Sequence, residues 1–319
     1  MIIVGIDEAG YGPLLGPLVV SAAVFEVPDD KADVSLWELL SQSVTPHVRK
    51  RDPRLAIADS KKVYRGEAGL ANLERAVLCS LMVAGSHPGT FRQLLHLVSP
   101  RAVDAVREYP WYDGVDLPLP TACEATELSM HANALRRGLS ACGGGLLGAL
   151  CEPLLEGQYN RMVAKTRNKS VVLLGLTLRL IQRAARAHES RAVRFYIDRQ
   201  GGRTKYARWL MTNFEEYDLK ILEESTECSA YQMAGESGQW RVEFAKRGEQ
   251  RQLPTALASI FSKYIRELFM QLFNDYWRQQ VPDLKPTAGY YTDGKRFLED
   301  VGAHLQKSKI DPAVLVRQV

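Results

Sequence analysis

Paired-cysteine chemistry is missing from this chain. Its five cysteines (Cys79, Cys123, Cys142, Cys151 and Cys228) are an odd number, widely spaced and without a Cys-x-x-Cys. The six histidines are scattered too, so no zinc-ligand spacing can be assembled. Free thiols in a reducing compartment are the plain reading. Long apolar runs are also absent. Pro13 to Phe25 and Val171 to Leu178 are the longest, short of the roughly 20 residues a membrane helix needs. The N-terminus opens straight into Ile2-Ile3-Val4-Gly5-Ile6-Asp7-Glu8 with no basic leader, so no secretory signal is expected and the localisation expected is cytoplasmic. Gly143-Gly144-Gly145 lacks a following Gly-Lys-Ser/Thr and reads as a turn, not a phosphate loop. Neither a Ser-His-Asp nor a Cys-His arrangement is readable, and there is no internal repeat or low-complexity stretch. Charge of one sign does not dominate: 41 basic against 37 acidic residues leave +4, which permits nucleic-acid binding without requiring it.

What the chain does have is length and apolar content. With 319 residues, 46% of them hydrophobic, it can bury a substantial core as one large domain carrying an insertion. Ile2 to Asp7 is a β-branched apolar strand, punctuated by Gly10-Tyr11-Gly12-Pro13 and paired as a hairpin with Leu18 to Phe25. The segment 29–58 is polar and irregular, with a short helix around Leu36 to Val44. Helices are expected over Gly66 to Ala84, Ala125 to Leu139, Ser170 to Ala187, Gly202 to Asn213 and Lys295 to Gln306. Strands are expected at Val193 to Asp198, Tyr217 to Glu223 and Trp240 to Ala245. The strongest helix is Pro254 to Trp277, whose apolar face is Leu257, Ile260, Phe261, Tyr264, Leu268, Phe269, Leu272 and Phe273. Strands interleaved with helices after an opening hairpin predict an α/β fold, a mixed sheet flanked by helices. The segment 85–169 is the least legible and is taken as an insertion.

Acids at strand ends are the chemistry on offer. Asp7 and Glu8 close the first strand. Consecutive strand residues face opposite ways, so sharing a site requires the extended geometry to break near Glu8. Asp198 closes the strand Val193 to Ile197. Glu249 precedes the long helix, where by itself it reads as an acid favourable to the helix dipole. Four acids so far apart in sequence meet only through the fold. If they do, their mutual repulsion calls for cations, and an all-oxygen donor set selects Mg²⁺ or Mn²⁺.

These residues fall within motifs that resemble the type 2 ribonucleases H, bacterial ribonuclease HII and HIII. The stretch Gly5-Ile6-Asp7-Glu8-Ala9-Gly10-Tyr11-Gly12-Pro13 resembles the family's opening motif, Asp59-Ser60-Lys61-Lys62 its Asp-Ser-Lys-Lys segment, and Tyr196-Ile197-Asp198 its third-acid strand. Ala258-Ser259-Ile260-Phe261-Ser262-Lys263 is similar to its Ala-Ser-Ile-x-Ala-Lys helix, and Gly289-Tyr290 to its late loop. All five stand in family order, covering the sheet and the C-terminal half but not segment 85–169. The resemblance implies a ribonuclease H-like fold with a helical C-terminal part. It implies a divalent-metal-dependent endonuclease that cuts the RNA strand of RNA–DNA hybrids, leaving 3′-hydroxyl and 5′-phosphate ends by a two-metal mechanism. Asp7, Glu8, Asp198 and Glu249 would bind Mg²⁺ or Mn²⁺, with Glu243 the alternative for the fourth place. Glutamate there is the HIII pattern. Gly10, Tyr11, Gly12, Ser60, Lys61, Lys62, Lys263 and Tyr290 would contact nucleic acid. Two departures stand out. Tyr11 replaces the arginine of a glycine–arginine–glycine loop that reads a ribose 2′-hydroxyl, and Arg199 follows Asp198 where glycine is usual. They keep open a nucleic-acid-binding protein with altered catalysis, or a nuclease for another structure such as branched DNA.

Overall fold

The computed structural model describes residues 1–49, 52–308 and 310–318; part of the irregular segment expected over 29–58 thus lies outside the described residues. A seven-stranded mixed sheet forms the centre. Its strands in chain order are β1 (Ile2–Ala9), β2 (Leu18–Glu26), β3 (Gly145–Leu154), β4 (Val193–Asp198), β5 (Asp218–Glu224), β6 (Cys228–Gly235) and β7 (Gly238–Ala245). Their spatial order is β3-β2-β1-β4-β7-β6-β5. β4 runs parallel to both β1 and β7, and every other pairing is antiparallel. The main helices are α1 (Gly69–Val83), α2 (Ala125–Ala141), α3 (Glu156–Thr166), α4 (Lys169–Ala187) and α5 (Leu253–Gln280).

Both faces of the central strands are covered, which is why β1 and β2 read as continuous apolar runs and not as alternations. Ile2, Val4 and Ile6 pack with α4 residues such as Leu173, Leu176 and Ile181. Ile3, Val19 and Phe25 join the opposite core with α1, α2 and α5. The long helix lies directly on β1. A Cβ on Gly5 would stand 2.0 Å from the Pro254 carbonyl carbon and 2.1 Å from the Thr255 nitrogen. Backbone on both sides leaves nothing to rotate away. Gly5→Ala is therefore expected to cost about 3 kcal/mol or more by overpacking, read as a lower midpoint in urea denaturation; an unchanged midpoint would contradict this contact.

The expected hairpin, mixed sheet and long helix all form. Segment 85–169 supplies more than expected: β3 pairs along β2 as an edge of the main sheet. Tyr109, Trp111 and Tyr112 are buried against Phe269, Phe273 and Trp277 of α5. The glycine triplet is the turn into β3, with Gly143 at φ 71°. Glu74 of α1, fully buried, ties this region to α5. It accepts hydrogen bonds from Thr121 and Ala122 amides at 2.7 and 2.6 Å and from the Tyr264 hydroxyl at 2.7 Å. Two other expectations need correction. The helix expected over Lys295 to Gln306 starts earlier, at Tyr291, and breaks at Val301. The helix expected from Gly202 begins only at Ala207. β6, unforeseen, is inserted between β7 and β5.

Candidate nucleic-acid cleavage site

The four acids gather at the ends of the parallel strands. The β1–β2 ladder continues without interruption through Asp7, Glu8 and Ala9, so the break expected near Glu8 falls later, at Gly10 with φ 83°. What opens the site is unequal strand length. The β1–β4 pairing stops at Ile6–Ile197, leaving Asp198 beside the end of β1. β4 in turn pairs with β7 up to Ala245, and a tight turn with Arg247 at φ 57° brings back the short helix Gly248–Arg251 that carries Glu249. Gly248 presses on Asp198: an added Cβ would lie 3.2 Å from the Asp198 Cα. Its amide donates to Asp198 Oδ1 at 2.8 Å. Glu243, the alternative fourth acid, stands mid-strand on β7 with Arg241 3.6 Å away.

The four are coupled by mutual repulsion. Asp7 is buried, 7% exposed, and burial, then Glu8 and Asp198, hold its carboxyl well above the usual carboxylate range. The Ser259 hydroxyl and the Glu8 amide, the latter donating to Asp7 Oδ1 at 2.7 Å, oppose that only in part. Glu8 is pushed up to about 8 by burial and by Asp198, with Lys61 pulling the other way. Asp198 rises to about 7 through burial and Glu249, against the Gly248 amide. Carboxyls sharing one enclosure have few cations to answer them. As placed, among the described residues, no group of three His, Cys, Asp or Glu side chains is arranged to hold an ion. The chemistry of the donor set nevertheless fits a hard divalent cation, because all four ligands would be carboxylate oxygens whose repulsion such an ion relieves.

Next to Glu8 opens a cleft of about 580 Å³. Gly10, Tyr11, Gly12, Ser60, Lys61, Lys263 and Tyr290 all line it, whereas Lys62 is exposed outside it. The residues differ in how free they are. Lys61 is exposed and Tyr290 is 52% exposed. Ser60 is buried and its hydroxyl is engaged by that of Ser259 at 2.9 Å. Lys263 is committed to Glu267 at 2.5 Å and lies 4.4 Å from the Tyr64 ring. The Tyr64 hydroxyl also donates to Glu267 at 2.7 Å. Lys169 sits 5.4 Å from the Tyr11 ring, so a cation stands beside the residue that departs from the resembled motif. Arg199 donates to the Thr226 carbonyl.

Tyr64, Glu267 and Lys169 were not anticipated. Only Glu267 left a trace in the sequence, as the acid one helical turn after Lys263. Two arginines were missed as well. Arg266, 1% exposed, donates to the carbonyls of Pro17, Leu15 and Ala288 at 2.6, 3.0 and 3.1 Å. Arg317 reaches the same loop from the far end of the chain.

No protein-family model matches the chain. A stretch of 75 residues is 37% identical to a ribonuclease HII of Gluconobacter oxydans, covering 23% of this chain and 36% of that protein. The chain resembles the type 2 ribonucleases H. It spans little more than a third of that curated relative in the match. Solved structures with a similar course include the ribonuclease HII of Archaeoglobus fulgidus in its complex with PCNA. It is 13% identical with a TM-score of 0.46, over 100% of this chain and 94% of that one. Bst ribonuclease HIII in complex with Mn²⁺ is 15% identical with a TM-score of 0.46, over 99% and 66%. Among the described residues no helix is long and apolar enough to cross a membrane.

Proposed function

We propose that this chain is a type 2 ribonuclease H: a divalent-metal-dependent endonuclease that hydrolyses the RNA strand of RNA–DNA hybrids to 3′-hydroxyl and 5′-phosphate ends. The observation that supports the reading is the meeting of Asp7, Glu8 and Asp198 at the ends of the central strands β1 and β4, with Glu249 carried to them by the short helix after β7 and three of the carboxyls raised by burial and by one another. A cluster that costly is retained where it has work to do.

Asp7, Glu8, Asp198 and Glu249 would hold two Mg²⁺ or Mn²⁺ ions. When bound, such a pair supplies an activated water and stabilises the leaving oxygen. The chain's own contribution is placement. Lys61, exposed at the cleft wall, would take a backbone phosphate, and Lys62 would follow the strand beyond it. Tyr290, ring free, would stack on a sugar or base. Gly10, Tyr11 and Gly12 would approach the ribose 2′-hydroxyl through their backbone, that group being what tells RNA from DNA. Ser60 would set the pitch of this wall through Ser259. Lys263, already neutralised by Glu267, would contribute less charge than the resemblance implies.

The test is cleavage of RNA–DNA hybrid, double-stranded RNA and double-stranded DNA in Mg²⁺ or Mn²⁺. Hybrid alone should be cut, and chelation should stop it. If DNA is cut instead, or nothing is cut in either metal, the proposal is wrong. The second reading, altered catalysis on this scaffold, draws on Tyr11 and Arg199. Tyrosine lacks the guanidinium fork, so a duplex with a single embedded ribonucleotide should be cut less well than a full hybrid, by about tenfold for one lost bidentate contact. Equal or faster cutting of the single-ribonucleotide duplex would contradict this.

A further inference from the structure

We infer that Arg317 is a positioning residue, delivered by segment 311–318, which aims the backbone amides of Tyr11 and Gly12 into the cleft. The inference rests on the nuclease reading above for its consequence, though not for its geometry.

Three carbonyls of one loop converge on this single side chain. Arg317 is 2% exposed. Its guanidinium donates to the carbonyl of Gly10 at 2.5 Å, of Tyr11 at 3.0 Å and of Gly16 at 3.5 Å. Its own amide donates to Leu14 at 2.8 Å, and the guanidinium lies over the Tyr159 ring at 4.1 Å. In a planar trans peptide the carbonyl of one residue and the N–H of the next point in opposite directions. Holding the carbonyls of Gly10 and Tyr11 inward therefore turns the N–H groups of Tyr11 and Gly12 outward. Both residues line the cleft, and among the described hydrogen bonds neither amide has a partner. Two adjacent unpaired donors facing a cleft are suited to a hydroxyl or a phosphate oxygen.

The segment is docked independently of the loop. Asn160 of α3 donates to the carbonyls of Ala313 and Val316, both at 2.7 Å, and accepts from the Gln318 amide at 2.7 Å. Leu315 is fully buried, and Asp311 caps the turn Pro312–Leu315 through the Ala313 amide at 2.9 Å. Asn160 thus fixes where Arg317 arrives, and Arg317 fixes how the loop faces. Arg266 holds Leu15 and Pro17, so losing Arg317 loosens the loop at Gly10, Tyr11 and Gly16 without detaching it. The Leu14 and Leu15 amides, which donate to the Gly289 carbonyl, report that loosening by exchange.

The experiment compares the wild-type chain with Arg317→Lys, Arg317→Met and Asn160→Ala. It reads steady-state cleavage of hybrid and hydrogen exchange of the peptide spanning residues 10–17. Arg317→Met should raise KM about tenfold with kcat within about threefold, the mark of lost ground-state contacts. Arg317→Lys, which keeps charge but not the fork, should recover part of that. Asn160→Ala, remote from the loop, should move KM in the same direction, and combining it with Arg317→Met should add little. Exchange of the 10–17 peptide should quicken in Arg317→Met and Asn160→Ala while a core peptide of β1 stays protected. Unchanged loop exchange in a folded variant overturns the inference, as does faster exchange with hybrid KM unmoved. If the wild-type chain cuts no hybrid, the function proposal fails, and loop exchange alone then decides whether Arg317 organises the loop.

Discussion

Asp7→Asn should abolish hybrid cleavage and at the same time make the metal-free protein more stable. The carboxylate is replaced by an isosteric amide that keeps an oxygen for the Glu8 amide, now at 2.7 Å from Oδ1. What disappears is an ionisable carboxyl whose charged form is disfavoured by burial, by Glu8 and by Asp198. Losing one ligand of a two-ion site should lower kcat by at least about 10²–10³-fold, the scale for one removed electrostatic contact at a transition state. Removing the repulsion should add on the order of 1 kcal/mol, since each unit of pKa displacement is worth about that much. This is the usual opposition between activity and stability at a strained site. The measurements are single-turnover cleavage and thermal melting in chelator. A variant that cuts at the wild-type rate would remove Asp7 from the chemistry. One that melts lower would deny the clustering.

Metal removal should expose a dependence of stability on pH that divalent cation erases. Glu8 is raised to about 8 and Asp198 to about 7. A carboxyl with a folded-state pKa above its unfolded value holds its proton better when folded. Its contribution is fully present below the ordinary range near 4 and is lost as pH climbs through the folded value. The metal-free chain should therefore lose melting temperature steadily from about pH 4.5 to pH 8. Mg²⁺ favours the ionised carboxylates, so it should restore stability most at pH 8 and least at pH 5. Glu156 provides an internal control. It is fully buried and raised to about 7 by burial, against only partial relief from nearby backbone amides and from Arg317 and Arg266. Glu156→Gln should flatten part of the slope, and Mg²⁺ should not restore that part. Superimposable melting curves with chelator and with Mg²⁺ across this range would argue against any ion at the acid cluster.

Which parts of this were readable in one dimension follows from the range of the forces involved. The β1–β2 hairpin was legible because β-branched apolar runs flank a glycine-rich turn, and α5 because its apolar face repeats at helical spacing from Leu257 to Phe273. The family motifs were legible because each sits within a few consecutive residues. β3 was not, because glycine, proline and cysteine break any alternation in Gly145–Leu154, and its stability comes from lying along β2. β6 was missed for a similar reason: Cys228–Gly235 carries small and polar residues whose place is fixed by neighbours on both sides.

The sequence by itself determined the identities and local settings of the candidate acids: Asp7, Glu8 and Asp198 at strand ends, and Glu249 ahead of the long helix. It also determined the apolar patterns that make a sheet covered on both faces. Only the tertiary structure decided that β1 and β4 end out of step, so that their acids share an enclosure, and that Glu243 is left outside it. It decided too that Arg266 and Arg317 grip one loop from 51 residues apart. Those outcomes depend on buried charges finding partners across hundreds of residues. Contact at that range is fixed by how the layers pack, and no local spacing encodes it.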